Sequence, residues 1–474
     1  MMVGATFREE PSAGAGAPTR DAGLANRGVD PARASAPTAP DAAVGGEDAD
    51  RRPVRVLFAV PEYPPPVVGG LERQARELAS ALAARGVEVT VLTKRFADGQ
   101  AGDERVDGVR VVRIGAARPF ALAAAMVRLR GGYDVVHLHN VSWFAVPVIA
   151  AGKMLGKPVL SKLPNFGAWG IPGQVSRRMG RVWLAAFRRS DAVVALSNES
   201  LAELDAVSYP AGRVLRVTNG VRTERFRPGP TAPGDRLEVV FTGRLDPAKG
   251  LADLLEVWPA VVAAVPGAVL RIFGDGPMRA ELAAGIERLG VWSSVRLEGH
   301  AADVAAVLAG GDVFVLPSYA EGNSNAVLEA MAAGLPVVST FAGGTPLLVG
   351  PPGRRWLVRP GDRDGLGAAL VALASDAATR AEAGRAMRAR AVEVFSIAAV
   401  AELYERVYRL LRAGRRDEVG GVVSPAWMES GESGDSGNSG NSGNSGNSGD
   451  SGDSGDSGDS GEPLRSVRPV ERGR

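Results

Sequence analysis

The stretch that decides the fold is EGNSNAVLEAMAAGLPVVSTFAGGTP, residues 321–346. The apolar run VFVLPS precedes it, and its own PVVST predicts a second buried strand. The Ala-rich segment between these two runs contains no Gly or Pro and is typical of a helix. Strand, loop, helix and strand in this order predict a parallel-sheet unit, in which ligands bind at the carboxyl ends of the strands.

Two carboxylates in this stretch are candidates for ligand contacts. Glu321 lies in the loop after the first strand, and Glu329 follows within the predicted helix. Their spacing corresponds to about two helical turns, at 3.6 residues per turn. Both side chains can therefore point toward one cleft.

The alternation of strands and helices runs along the chain in two series. Glycine-tipped loops and Ala/Leu-rich helices separate the strands, which indicates doubly wound sheets with right-handed crossovers. The predicted strands are 54–60, 87–93, 108–115, 134–140, 158–164, 191–197 and 213–220 in the first series, and 237–243, 268–274, 295–300, 313–318 and 336–340 in the second. The predicted fold class is α/β, with two Rossmann-like domains that face a central cleft.

The composition of the connecting segments predicts the domain boundaries. FRPGPTAPGD is rich in Pro and Gly and indicates a linker. Both chain ends lack apolar periodicity, and the Ser-Gly-Asn and Ser-Gly-Asp repeats after residue 432 cannot bury surface. We predict a disordered arm (1–52), a first domain (53–225), a linker (226–236), a second domain (237–395), a final helix (396–413) and a disordered tail (414–474). The repeats lack the Gly-Gly-x-Gly-x-Asp spacing of calcium-binding repeats.

The charge and composition exclude several classes of site. The 474 residues carry a net charge of +2, which does not indicate a general nucleic-acid-binding surface. The chain has no Cys, which excludes disulfides, thiolate metal sites and Cys nucleophiles. Its three His are too few to indicate a His-based metal cluster.

The hydropathy pattern predicts a cytoplasmic protein. No apolar run approaches the roughly 18 residues of a membrane-spanning helix, and the N-terminus has no apolar signal core. One segment leaves a peripheral membrane location open: RRMGRVWLAAFRRS, residues 177–190, places Arg beside Trp183, Leu184 and Phe187. A half-buried amphipathic helix explains the same pattern, and we favour this interpretation.

An ordered series of motifs spans the globular part of the chain. It comprises PPVVGGLE (65–72), DVVHLHN (134–140), SDAVVALS (190–197), TNGVRTERFRP (218–228), GRLDPAKG (243–250), GDGPMRAEL (274–282), PSYAEGNSNAVLEAMAAGLPVVST (317–340) and AGGTP (342–346). Together with the Glu-x7-Glu spacing, the series resembles the family 4 glycosyltransferases. The resemblance implies the GT-B fold, a final helix that crosses back to the first domain, a nucleotide-sugar donor, retention of configuration and no requirement for a metal.

Two basic residues stand where a phosphate site is expected. Arg244 and Lys249 lie in the loop after the first strand of the second domain, just before a helix N-terminus. A guanidinium offers a planar fork of donors, an ammonium offers a point charge, and the helix end adds free N–H groups. By resemblance, these two residues bind the donor diphosphate. A pair of solvated surface cations is the alternative for residues outside such a motif.

The carboxylates and the segment between them receive roles from the same resemblance. Glu329 resembles the family's ribose-binding carboxylate, and Glu321 resembles the residue that contacts the donor sugar beside the reacting centre. Gly322, Asn323, Ser324 and Asn325 offer backbone N–H groups to the sugar and the phosphates.

The first domain contributes three further candidates. Gly69 and Gly70 resemble the family's glycine loop and let the backbone approach a ligand closely. His139 ends a strand and resembles the family's active-site histidine, so we predict that it faces the cleft. His137 shares its face by the two-residue period of a strand and is expected to be buried.

Two positions depart from the family pattern. Leu347 stands where the family usually has an acidic residue, which removes one polar contact to the donor sugar. Arg222 stands where the family usually has Asp, in a loop that we predict to be at the surface. The first strand is not followed by GxGxxG, which argues against a dinucleotide dehydrogenase.

These observations predict a retaining glycosyltransferase that moves a hexose from a UDP- or GDP-sugar to a carbohydrate or lipid-linked acceptor. Two alternatives stay open. One is a nucleotide-sugar epimerase of the same fold, and the other is a non-catalytic protein that only binds nucleotide sugars.

Overall fold

The computed structural model describes residues 52–65, 69–96, 99–115, 119–229 and 237–430. The predicted arm, except for its last residue, therefore lies outside the described residues. The same holds for most of the predicted linker and for the Ser-Gly repeats.

The first domain is built on an eight-stranded sheet in the order β3-β4-β2-β1-β5-β6-β7-β8. The strands are β1 (Arg55–Ala59), β2 (Glu88–Lys94), β3 (Asp103–Val106), β4 (Val109–Ile114), β5 (Val135–Leu138), β6 (Val159–Leu163), β7 (Ala192–Ala195) and β8 (Val214–Arg216). All neighbours pair in parallel except β3 and β4. Strands β5, β6 and β7 are buried along their whole length, as expected for parallel strands with both faces covered.

In the described residues of this domain, six helices flank the sheet. They are α1 (Gly70–Ala84), α2 (Pro119–Leu129), α3 (Ala145–Met154), α4 (Ile171–Val175), α5 (Gly180–Phe187) and α6 (Asn198–Ala206). The sequence analysis missed strand β3, which joins β4 through a two-residue turn. Asp107 and Gly108 in this turn both have positive φ, 50° and 81°, as a tight hairpin requires.

The second domain has six parallel strands in the order β11-β10-β9-β12-β13-β14. They are β9 (Glu238–Thr242), β10 (Val269–Phe273), β11 (Val295–Gly299), β12 (Val313–Leu316), β13 (Val337–Thr340) and β14 (Leu357–Val358). The helices are α7 (Leu251–Ala264), α8 (Arg279–Leu289), α9 (Val304–Ala309), α10 (Asn325–Ala332), α11 (Thr345–Gly353), α12 (Arg363–Ser375) and α13 (Ala377–Phe395). The predicted parallel unit is confirmed as β12-α10-β13.

The final helix, α14 (Ile397–Arg412), crosses back to the first domain. Its buried face packs into the core formed by α1 and the first sheet. There the Tyr408 hydroxyl lies 2.7 Å from Nδ1 of His137. The GT-B arrangement of two Rossmann-like domains with a crossing C-terminal helix is thus confirmed.

The prediction of disorder from residue 414 onward is wrong for residues 414–430. A 3-10 helix (Arg416–Gly421) and a short helix, α15 (Pro425–Glu429), follow α14. Val419 and Val422 are buried in the first domain, whereas Trp427 is buried in the core of the second. These apolar side chains have no helical or strand period, so the sequence pattern alone did not separate them from the polar repeats beyond.

Candidate functional site

A cleft of about 1000 Å³ lies between the two sheets and is lined by both domains. We call its two sides the first-domain wall and the second-domain wall. The first-domain wall consists of the start of α1 and residues at or after the carboxyl ends of β6, β7 and β8. The second-domain wall consists mainly of the loops that follow β9, β10, β11 and β12. Both sheets thus present their carboxyl ends to one cleft, which is the usual ligand position in such folds.

Lys249 and Glu321 form an ion pair on the second-domain wall. Lys249 Nζ lies 2.7 Å from Glu321 Oε1, which also accepts a hydrogen bond from the Ser318 hydroxyl at 2.7 Å. Lys249 ends a 3-10 helix whose N-cap, Asp246, accepts a hydrogen bond from the backbone of Ala248. Glu321 is only 8% exposed, so these two contacts fix its carboxylate at the cleft surface.

Arg244 lines the same wall but is held less tightly. Its side chain is 72% exposed, and its Nε lies 3.6 Å from the Asp246 carboxylate. Such an exposed pair contributes little to stability. The guanidinium therefore retains donors that an anionic ligand in the cleft can use.

The backbone of Gly343 fixes the position of Glu321 from behind. Gly343 has φ +52°, and a Cβ at this position would lie 1.5 Å from the carbonyl oxygen of Glu321. Only glycine fits such a position. The neighbouring Gly344 N–H donates to the carbonyl of Gly322 at 2.9 Å, so the AGGTP loop stabilises the loop that carries Glu321.

Glu329 lines the cleft from the second turn of α10 and is 6% exposed. Its Oε1 lies 3.2 Å from Nη1 of Arg73, which extends from α1 in the first domain. Burial raises the pKa of the Glu329 carboxyl, and the Arg73 guanidinium partly opposes this effect. The predicted ribose carboxylate thus has a cationic partner from the opposite wall, which the sequence analysis missed.

The segment between the two carboxylates binds the first-domain wall through its side chains. Asn219 N donates to Asn323 Oδ1 at 2.9 Å, and Asn219 Nδ2 donates to Asn323 O at 3.1 Å and to Asn325 Oδ1 at 2.9 Å. Ser324 is the N-cap of α10 and accepts a hydrogen bond from Val327 N. Asn219 belongs to the TNGV motif, but the sequence analysis assigned it no role.

Gly69 and Gly70 line the cleft at the start of α1. Asn325 Nδ2 donates to the carbonyl of Gly70 at 3.0 Å, and a Cβ on Gly70 would lie 3.1 Å from this nitrogen. The structure thus shows a close approach of Gly70 to the opposite wall, while the predicted approach of these glycines to a ligand stays a prediction.

His139 does not line the cleft, contrary to the predicted orientation. It is 1% exposed and packs against Phe58 and His137, with ring centroids 4.4 and 4.0 Å away. Burial holds the pKa of both imidazoles well below the usual value. The strand period correctly places the two His on one face, but α14 covers that face.

Lys162 lines the cleft on the first-domain wall. It is buried, and its Nζ donates to Asn219 Oδ1 at 2.9 Å. Burial lowers the pKa of Lys162 to about 8. A lysine inside the apolar run VLSKL is the sequence signal that could have identified this residue, because charged side chains are rarely buried without a reason.

The two departures from the family pattern have separate explanations. Leu347 is buried in the core of the second domain and does not line the cleft. Arg222 is half-buried, and its Nε lies 2.9 Å from Oε2 of Glu77 in α1, so it forms an ion pair within the first domain.

Within the segment 177–190, residues 180–187 form the helix α5, which is half-buried, as the favoured interpretation predicted. Trp183 and Phe187 are buried and stack with their ring centroids 5.0 Å apart. These two aromatic side chains therefore face the core and cannot contact lipid. In the described ranges, no helix has the length and apolarity needed to cross a bilayer.

Comparisons with known proteins agree with this architecture. Residues 68–225 match the model of Glycosyltransferase Family 4, and residues 236–376 match that of Glycosyl transferases group 1. The glycogen synthase of Mycobacterium tuberculosis is 30% identical over 408 residues, which cover 77% of this chain and 96% of the relative. A GDP-mannose-dependent alpha-(1-6)-phosphatidylinositol monomannoside mannosyltransferase from the same species is 29% identical, over 62% of this chain and 82% of the relative.

Solved structures share the fold at lower identity. HepE of Anabaena in complex with UDP superposes with a TM-score of 0.63 at 22% identity and covers 74% of this chain and 99% of its own. Sucrose-phosphate synthase from Thermosynechococcus elongatus gives a TM-score of 0.62 at 23% identity, over 76% and 100%. The two matched domain models and the near-complete coverage of the glycogen synthase lead to one conclusion: this chain belongs to the family 4 glycosyltransferases.

Proposed function

We propose that this protein transfers a hexose from a UDP- or GDP-sugar to an acceptor hydroxyl with retention of configuration. The observation that carries the proposal is the second-domain wall, where two cations and two carboxylates line one cleft: Arg244, Lys249, Glu321 and Glu329. Two cations and two carboxylates on one wall fit the two ends of a nucleotide sugar. The diphosphate needs positive charge, whereas the ribose and the hexose need hydrogen-bond acceptors.

Lys249 and Arg244 stabilise the leaving diphosphate in this proposal. Negative charge grows on the phosphate as the bond to the sugar breaks, so fixed positive charge lowers the barrier most at that moment. Lys249 is already oriented by Glu321, while the exposed Arg244 reaches the diphosphate from the rim. These two side chains supply the positive charge without a metal ion.

Glu329 accepts hydrogen bonds from the ribose hydroxyls, and Glu321 contacts the transferred hexose. The backbone N–H groups of residues 322–325 lie before and at the start of α10, where N–H groups have no partner within the helix. They contribute further donors to the sugar and the phosphates. Gly69 and Gly70 close the site from the first domain.

The acceptor hydroxyl attacks the sugar carbon on the face from which the diphosphate leaves. Its proton passes to the departing phosphate oxygen, so no covalent enzyme nucleophile is required. The bond from carbon to the acceptor oxygen forms as the bond to the phosphate breaks. His139 is buried behind the wall, which favours a role in holding the wall rather than in touching the substrate.

The proposed acceptor is a carbohydrate or a lipid-linked saccharide in surface polysaccharide synthesis, on the cytoplasmic face of the cell membrane. One of the relatives acts on a phosphatidylinositol monomannoside, according to its name. The first-domain wall is the side that would receive such an acceptor.

A donor panel followed by an acceptor assay tests the proposal. Thermal unfolding is measured with a series of UDP- and GDP-sugars, and the best donor is then incubated with lipid-linked and free saccharides. We expect one nucleotide class to raise the Tm, and we expect acceptor-dependent release of the nucleoside diphosphate. The anomeric configuration of the product, measured by NMR, then matches that of the donor.

The variant Arg244→Ala/Lys249→Ala tests the diphosphate site, with Arg296→Ala as a matched control on an exposed cation outside the cleft lining. We expect the double variant to lose donor affinity and the control to keep it. Unchanged affinity in the double variant would refute the diphosphate assignment. Donor binding without transfer to any acceptor would favour a binding protein, and an inverted product would refute retention.

A further inference from the structure

A basic and apolar surface lies on the first domain beside the mouth of the cleft. It is formed by the 3-10 helix Gly167–Trp169, by α4 and by the start of α5. We call it the Trp169 surface and define it by seven exposed side chains: Trp169, Val175, Arg177, Arg178, Met179, Arg181 and Val182.

The protein holds Trp169 outward on a fixed turn. The Glu203 carboxylate in α6 accepts hydrogen bonds from the backbone N–H of Gly167 and, at 2.8 Å, from that of Ile171. These bonds anchor both sides of the turn, yet the tryptophan itself is 71% exposed. Trp183 in the next helix is fully buried, so exposure of Trp169 is not explained by a lack of core around this segment.

Three further large apolar side chains follow this tryptophan in the sequence. Val175, Met179 and Val182 are all substantially exposed, and they lie on elements that pack against one another. Scattered single apolar residues are normal on a protein surface, but a cluster with basic residues between its members marks an interaction site.

The charge of the surface has one sign. Residues 165–190 contain five Arg and no Asp or Glu. Within the described part of the chain, Arg177, Arg178 and Arg181 form no ion pair with a carboxylate. The guanidinium groups therefore face solvent with their charge uncompensated, whereas Arg76 of α1 and Arg409 of α14 each pair with an acidic residue.

We propose that the Trp169 surface docks the protein onto an anionic lipid bilayer. Tryptophan is suited to the boundary between headgroups and acyl chains, because its ring is apolar and its N–H is polar. Arginines at the same level attract anionic headgroups, and the aliphatic side chains add apolar area that enters the bilayer. The aliphatic members favour lipid over nucleic acid, since a nucleic-acid surface would pair its cations with aromatic stacking partners.

The Trp169 surface follows directly in the sequence on residues that line the cleft. Pro164 and Asn165, which line the cleft after β6, lead directly into the 3-10 helix that carries Trp169. A docked bilayer would thus lie next to the first-domain wall, within reach of a lipid-linked acceptor. This last step rests on the proposed function, whereas docking itself does not.

Co-sedimentation of the full chain with vesicles tests the proposal. We expect binding to vesicles that contain phosphatidylglycerol and weak binding to vesicles of phosphatidylcholine alone. The variant Arg177→Gln/Arg178→Gln/Arg181→Gln should lose roughly tenfold or more in affinity, because each basic residue near an anionic surface contributes separately. Trp169→Ala should lose roughly tenfold in vesicle affinity at both high and low salt, because the contribution of the tryptophan is apolar.

Matched controls come from the second domain and α14. Trp292 is 68% exposed and is replaced by Ala, and Arg296, Arg385 and Arg406 are replaced together by Gln to give the same change of charge. Both controls should bind vesicles as the wild type does. The donor-induced rise in Tm is measured for every variant, because it reports an intact cleft independently of lipid.

Three results would overturn the proposal. One is equal binding of the wild type and both Trp169-surface variants while the Tm response stays intact. Another is preferential binding of RNA over anionic vesicles. The third is a concentration-dependent dimer that Trp169→Ala abolishes, together with no vesicle binding, which would make the surface a contact between copies. Failure of donor binding in the wild type would instead count against the proposed function and leave the lipid result valid.

Discussion

The two walls of the cleft hold their polar side chains in different ways. On the second-domain wall, Lys249, Glu321 and Ser318 bond to one another within a single domain. On the first-domain wall, Asn219 and Arg73 bond to residues of the opposite domain. The Lys249–Glu321 pair is therefore preset, whereas the contacts of Asn219 and Arg73 with the second domain exist only while the walls lie together.

This difference suggests separate tasks: the second-domain wall supplies fixed charges, and the contacts between the walls control closure of the cleft. Preorganised charge is most effective when it needs no rearrangement at the moment of reaction, which suits the second-domain wall. Amide contacts between domains are individually modest, at about 1 kcal/mol each, and can be exchanged when a ligand enters. Three experiments test whether the walls divide the work in this way.

Glu321→Gln should give the largest effect. It removes the charge that holds Lys249 and leaves a side chain of the same shape, so we expect kcat to fall by about 10²-fold or more. The effect on KM should be smaller, because Arg244 and Lys249 still attract the donor. Steady-state kinetics with the best donor measure both values, and Glu298→Gln, outside the cleft lining, is the matched control. A loss of less than about fivefold would mean that the preset pair has no part in the reaction.

Lys162→Met tests the first-domain wall through its dependence on pH. Burial lowers the pKa of Lys162 from 10.5 to about 8. Between these values the folded state holds fewer protons than the unfolded state, so the cost of the buried lysine is full below pH 8 and is relieved as the pH rises. The shift corresponds to about 3 kcal/mol.

We therefore expect the free energy of unfolding of the wild type, relative to Lys162→Met, to rise by up to about 3 kcal/mol from neutral pH to about pH 10. Urea unfolding at several pH values measures this difference. Lys153→Met is the control at a lysine whose side chain is 34% exposed and pairs with Asp191. A difference that stays constant with pH would show that the amine of Lys162 is solvated.

Arg73→Ala should give the smallest effect. Its guanidinium contacts the Glu329 carboxylate at 3.2 Å and therefore competes with the ribose hydroxyls proposed to bind there. Because the pair is partly exposed, we expect nucleotide affinity to increase by only about two- to fivefold. Calorimetric titration with UDP and GDP measures the change. Arg76→Ala, whose partner is Asp107, should leave affinity unchanged, and weaker binding of Arg73→Ala would mean that Arg73 itself contacts the nucleotide.

The sequence was sufficient for most of the fold. Buried parallel strands are continuous apolar runs, so β5 and β12 stand out without any alignment. Strand β3 was missed because its DERV sequence is half-exposed and polar, and only the Asp-Gly turn after it gives a signal. The segment 414–430 was missed because its order depends on cores formed by residues far away in the chain.

The two walls were predictable from the sequence to different degrees, because their contacts depend to different degrees on residues far away in the chain. Residues of the second-domain wall stand in motifs that are visible in the sequence, such as GRLDPAKG and EGNSNAVLE, and the Lys249–Glu321 pair joins these two motifs. Contacts of the first-domain wall depend on tertiary packing. His139 is buried against Phe58 and His137, and Asn219 bonds to Asn323 and Asn325 of the other domain in addition to Lys162. A pattern along one strand gives the direction of a side chain but not what covers it.

The residues after α14 change how the two domains can move. The chain crosses between the domains near Val221, Ser396 and Val423, and backbone pairing joins Val221 to Ser396 and Val423 to Arg216. Beyond the third crossing, Trp427 is buried in the second domain and Glu429 pairs with Arg390. Three chain segments that connect the domains side by side act as a hinge, because they resist sliding of one domain past the other and allow the domains to rotate. We therefore expect the cleft to open by rotation of the domains about these three connections. A chain cut after residue 413 would lose one of the three.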